Sequence, residues 1–130
     1  MIQLNHTIVM AHDQDRTARF FTEVLGLPEA GRFGPFRTVR PDNDVTLDVL
    51  ESGGDIAPQH YAFLVGEQEF DAIFDRIVER DIAYWADPHH GEPGVVNTRD
   101  GGRGIYFDDP NGHNLEILTR EYGSGPDRRG

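Results

Sequence analysis

The chain is written twice. Setting Leu4-Asn5-His6-Thr7-Ile8-Val9-Met10 over Pro58-Gln59-His60-Tyr61-Ala62-Phe63-Leu64 superposes two histidines at an offset of 54. The same offset pairs Ala18 with Ala72, Phe20 with Phe74 and Val24 with Val78. A repeat of this length means that one supersecondary unit is used twice, so the fold must be built from two similar modules. Each copy reads as a short apolar strand followed by an amphipathic helix. The first helix starts near Asp13 or Asp15, either able to cap free backbone N–H groups, and carries Ala18, Phe21, Val24 and Leu25 on one face. It stops at Gly26, with Pro28 beyond. The second carries Phe70, Ile73, Phe74, Ile77 and Val78 at helical spacing.

Extended segments follow each helix, at 36–40 and 45–51 in the first half and at 82–86, 94–99, 102–108 and 114–119 in the second. Asp109-Pro110-Asn111-Gly112 is a turn between the last two: Pro presets one central residue and Gly accepts positive φ. The expectation is an α+β fold of two βαβββ modules, about 1–54 and 58–120. Related by a pseudo-twofold, they would form a half-open mixed barrel around a metal or ligand cavity. Residues 1–122 would make one domain, with 123–130 a flexible tail.

Composition closes off several chemistries. The 130 residues contain no cysteine, which excludes thiol nucleophiles, disulfides and thiolate metal sites. All twelve cations are Arg, so Schiff-base and phosphate-loop lysines are absent. A net charge of −11 disfavours nucleic acid and anionic membrane as partners. No long apolar run or basic leader is present, and a soluble cytoplasmic protein is expected.

Strand alternation places the ionisable residues. His6 is in phase with Ile8 and Met10, and His60 with Ala62 and Leu64. Asp48 and Glu116 each sit between aliphatic residues near the end of a half. A carboxylate buried unpaired costs several kcal/mol, so each faces water, an Arg or a metal. A pseudo-twofold would bring His6, Asp48, His60 and Glu116 toward one point. Two imidazoles with one or two carboxylates suit Zn, Ni, Mn, Co or Fe(II). His89 and His90 lie in the Gly- and Pro-rich run 87–93, a loop by composition, and His12 fits a surface position. His113 is expected to serve the hairpin, and Tyr106 and Arg103 precede that hairpin within possible reach of the cavity.

These residues resemble the vicinal oxygen chelate superfamily, which includes glyoxalase I, fosfomycin-resistance transferases, extradiol dioxygenases and bleomycin-binding proteins. The resemblance spans about residues 4–120. Its most specific part is Phe107-Asp108-Asp109-Pro110-Asn111-Gly112-His113-Asn114-Leu115-Glu116. It implies His6, His60 and Glu116 as ligands of a divalent ion, with Asp48 where glyoxalase I-like members place a further acid. Asp48 is one methylene shorter than the Glu expected there. Glu116 and Asp48 are then the groups expected to take part in catalysis. The leading expectation is an isomerase- or lyase-type proton transfer on a small substrate chelated through two oxygens. An Fe(II) extradiol-type dioxygenase is the second, and a metal-free drug-binding protein the third. The resemblance also implies a homodimer.

Overall fold

The first helix needs an apolar sheet face to cover its own stripe, and the strands on either side of it supply one. In the computed structural model, which describes residues 1–125, the chain divides into two compact units, 1–57 and 58 onward. The first unit runs β1 (His6–Ala11), α1 (Gln14–Val24), β2 (Gly31–Phe33), β3 (Phe36–Val39) and β4 (Thr46–Glu51). Its sheet has the order β1-β4-β3-β2, with β1 and β4 parallel and the remaining pairs antiparallel. Val9, Ala11, Val39, Leu47 and Val49 are buried on one side of the sheet, and Ala18, Phe21 and Val24 are buried on α1. Each large side chain so buried contributes roughly 1.5–3 kcal/mol. The Asp13 carboxylate accepts from the Arg16 amide at 3.1 Å, and Gly26 ends the helix at φ +77°.

The second unit runs β5 (His60–Leu64), α2 (Glu67–Glu79), a 3₁₀ turn (Arg99–Gly101), β6 (Gly104–Asp108) and β7 (Asn114–Leu118). The sheet order is β5-β7-β6, with β5 and β7 parallel and β6 and β7 antiparallel. The chain is therefore α+β, with two α-helices and two mixed sheets among the described residues.

Two of the expected strands are not strands. Segments 82–86 and 94–99 reduce to single bridges, Trp85 with Pro93 and Tyr106, and Asn97 with Gly104. Pro88 and Pro93 lack an N–H to donate, and Gly94 turns at φ +70°, so no ladder can extend there. The first module keeps its βαβββ order, whereas in the second the place before β6 is held by the Trp85 rung. The helices also depart from the offset of 54. Ala72 and Val78 are exposed while Ala18 and Val24 are buried. The buried trio Phe70, Ile73 and Ile77 lies 52 positions after Ala18, Phe21 and Leu25. Two residues join strand to helix in both copies, but β5 is one residue shorter than β1, so the helix starts seven residues after His60 against eight after His6, and burial follows the helix.

Near the C-terminus, the Gly123 and Gly125 amides donate to the Asp100 carboxylate at 3.0 and 3.1 Å. The rest of the expected tail, 126–130, lies outside the described residues. Among the described residues, no helix is long and apolar enough to cross a membrane.

Candidate metal centre

Both units place an acid in the same relation to a histidine. In the first, His6 stands opposite Thr46 and Ile8 opposite Asp48. In the second, His60 stands opposite Asn114 and Ala62 opposite Glu116. Because the pairs are parallel and in register, each acid lies on the strand beside the histidine strand, on the same sheet face, one step further along. In the first unit this is the face opposite the helix-covered one, and it carries Ile8, Met10 and Leu50 as well. Asp48 is only 8% exposed, between Ile8 on β1 and Thr38 on β3. Among the described residues it makes no ion pair.

The tautomer of His60 follows from its partner. Nδ1 lies 2.9 Å from the Asn114 carbonyl oxygen, which can only accept, so Nδ1 carries the proton. The Nε2 lone pair then faces Glu116 Oε1 at 3.1 Å. Two acceptors at that distance repel unless a proton or a cation lies between them. A divalent ion with bonds of about 2.1 Å and neighbouring ligands at right angles would separate two donor atoms by about 3.0 Å. The pair therefore fits an ion. His6 has the same orientation: its Nδ1 lies 2.7 Å from the Asn5 side-chain oxygen, which leaves Nε2 as the free donor.

Glu116 is held from its other side as well. Tyr106, opposite it on β6, stacks on the His60 ring at a centroid distance of 5.8 Å. The Tyr106 hydroxyl accepts from Arg99 Nη1 at 3.1 Å. Burial, and after it the Glu116 charge, hold the phenol above its usual pKa range, with Arg99 opposing.

A family model for the glyoxalase/bleomycin resistance protein/dioxygenase superfamily matches residues 3–117. The chain belongs to this superfamily. It is 30% identical over 121 residues to the glutathione transferase FosA of Serratia marcescens, covering 88% of this chain and 78% of that one. Among solved structures it is similar to oxidase ChaP-H2, at 61% identity and a TM-score of 0.93 over 95% of this chain and 98% of that one. Oxidase ChaP-H1 is 58% identical, also with a TM-score of 0.93, over 95% and 99% of the two chains.

For this superfamily member, the described residues bring His60 and Glu116 into contact and place His6 and Asp48 on one face of the other sheet. Among the described residues, no group of three or more His, Asp or Glu side chains is gathered around one point as a metal cluster. His113 serves the hairpin as expected: it is fully buried, and its Nδ1 accepts from the Gln59 amide at 3.0 Å. His90 stacks flat on Trp85 at 3.7 Å, with Nε2 3.3 Å from Asn114 Oδ1 and 3.7 Å from Asp108 Oδ1. It anchors its loop on the sheet instead of forming a bare turn. Burial raises the Asp108 carboxyl above its usual range, with His90 opposing and Asp109 adding to it. Arg103 is turned away from the Glu116 face and pairs with Glu67 and Asp71, its guanidinium over the Phe70 ring.

Sequence reasoning missed Asn5, Asn114 and Arg99. The asparagines stand beside a candidate ligand histidine or within the hairpin motif, and an amide next to an imidazole was the available signal. Arg99 carried no signal. Its position depends on a 3₁₀ turn in which Asp100 adopts φ +57°.

Proposed function

We propose that this superfamily member is a divalent-metal-dependent oxidase acting on a small substrate that presents two neighbouring oxygens. The observation that carries the metal is the His60–Glu116 pair, two acceptor groups at 3.1 Å with the imidazole tautomer fixed by a backbone carbonyl. Likeness to two oxidases at 61% and 58% identity favours oxidation over the isomerase- or lyase-type reaction that led the expectations from sequence. In this reading His6, His60 and Glu116 hold the ion. Asp48 is a further oxygen donor or, left free, a general base for a substrate hydroxyl.

The bound ion would supply a Lewis acid with open positions for two substrate oxygens and, if it is Fe(II), for dioxygen. The protein's own part is positional. The Asn114 carbonyl and the Asn5 side chain fix which nitrogen each imidazole offers. Tyr106 stands opposite Glu116 in the β6–β7 register and stacks on the His60 ring, which limits how far that ring can swing. Asp48, buried between Ile8 and Thr38, would take a proton where little water competes. A cytoplasmic homodimer is part of the same proposal.

The test is metal content by mass spectrometry on untagged protein, beside a His60→Ala, Glu116→Ala double variant, with oxygen uptake across a panel of catechols and related enediols. About one iron per chain, lost in the variant, with substrate-dependent oxygen uptake is the expected result. Nickel, zinc, manganese or cobalt at that stoichiometry without oxygen uptake would return the reading to proton-transfer chemistry. No metal in either protein, even after reconstitution, would refute the metal reading and leave a binding protein.

A further inference from the structure

Arg99 is a cation held on Tyr106, the residue opposite Glu116 in the β6–β7 register. Its Nη1 donates to the Tyr106 hydroxyl at 3.1 Å, and its guanidinium carbon lies 5.7 Å from the centre of that ring. Among the described residues it makes no ion pair, although the chain carries 23 acids against 12 Arg. Other arginines are matched: Arg103 holds Glu67 and Asp71, Arg37 and Arg32 share Asp15, and Arg40 meets Asp44. The carboxylate nearest Arg99 in sequence, Asp100, is occupied elsewhere, accepting from the Gly123 and Gly125 amides. Gly125 sits so close to Asp100 that an added Cβ would come within 2.7 Å of its Cα.

Arg99 is also held in place. Its amide donates to Asn97 Oδ1 at 3.2 Å, and the two Asn97–Gly104 backbone bonds, 2.9 and 3.1 Å, tie this segment to the start of β6. Tyr106 is 6% exposed, stands opposite Glu116 on β7 and holds Arg99 through its hydroxyl. The guanidinium is thus fixed by one neutral partner, exposed, and left with donors to spare. A guanidinium in that state is a carboxylate or oxyanion receptor. On a protein of net charge −11, long-range attraction does not draw an anion to this face, so recognition must be local.

We propose that Arg99, with the Tyr106 hydroxyl beside it, is an anion-binding subsite that receives a carboxylate or comparable anionic oxygen of the substrate next to the Glu116 face. This names a substrate class and rests on the oxidase reading only in calling the anion a substrate group; the anion site itself does not depend on a metal. Arg99 would then set specificity: removing it should weaken anionic ligands and leave neutral ones unaffected.

The test has a metal-free arm and a metal-loaded arm. In the first, apo protein is titrated with benzoate and, separately, with neutral benzamide at low salt, followed by NMR at the Arg99 side-chain N–H and the Tyr106 ring. Benzoate should shift both saturably and benzamide should not. Arg99→Met should abolish the effect, and Arg99→Lys, which keeps the charge, should retain part of it. Benzoate shifts that map elsewhere, or that persist in Arg99→Met, would overturn the subsite. In the second arm, manganese-loaded protein is titrated calorimetrically with benzohydroxamate and its 3- and 4-carboxy derivatives. At least one carboxy derivative should bind about tenfold tighter than the parent, with the gain lost in Arg99→Met, as expected for one charge-assisted pair. Tight parent binding with no carboxylate gain would refute the subsite while sparing the metal. Absence of parent binding, with Arg99-dependent benzoate binding intact, would sink the metal reading and leave the subsite standing.

Discussion

Replacing Asp109 with Ala should loosen the turn that sets the register of β6 against β7, and with it the placement of Glu116 and of the carbonyl that orients His60. Asp109 is 5% exposed and sits at the head of the hairpin. Its Oδ1 accepts from the Asn111 amide at 2.9 Å and from the buried His113 amide at 2.8 Å, and its Oδ2 accepts from Asn111 Nδ2 at 2.9 Å. Hydrogen bonds to a charged acceptor contribute about 1.5–3 kcal/mol each where buried. Water can replace the acceptor for Asn111 but not for the fully buried His113, so the expected loss is roughly 3 kcal/mol. For a chain of this length that corresponds to a fall of about 12 °C in Tm. Asp109→Asn keeps one oxygen acceptor and should cost roughly 1 kcal/mol, and Asn111→Ala less than that. Chemical denaturation and differential scanning calorimetry of the three variants measure the order directly. An Asp109→Ala variant within about 1 kcal/mol of the parent would show that the hairpin is held by its strand ladder and not by this carboxylate.

Two further outcomes are expected. Hydrogen bonds from Arg103, and after them one from Thr119, hold the Glu67 pKa below its ordinary value, so the stability this contributes is present above that value and disappears as pH falls through the lowered one. The stability difference between the parent and Arg103→Ala should therefore shrink as urea denaturation is repeated from pH 6 down to pH 3, and a constant difference would contradict the assignment. Gly112→Ala should destabilise by about 1 kcal/mol because φ is +87°, although nothing lies within 4 Å of the added methyl. Gly53→Ala, equally open but without positive φ, should be neutral or slightly stabilising; equal effects at the two positions would refute the backbone argument.

What the sequence settled is what is local and periodic. Alternation along His6–Met10 and His60–Leu64 fixed which side chains share a face, because successive strand residues point oppositely whatever surrounds them. The Asp109-Pro110-Asn111-Gly112 turn and the Asp13 cap were readable for the same reason, since each depends on a few neighbouring residues. The helix repeat departs from the offset of the two histidines because β5 is one residue shorter than β1 and α2 starts correspondingly earlier. Segments 82–86 and 94–99 looked extended, yet proline and a left-handed glycine leave them only isolated rungs. Tertiary structure alone decided the chemistry within each unit. The Asn114 carbonyl selects the His60 tautomer, packing buries Asp48, and a 3₁₀ turn delivers Arg99 to Tyr106. Each of these joins residues distant in sequence or depends on a carbonyl that every residue carries, so no residue type announces it.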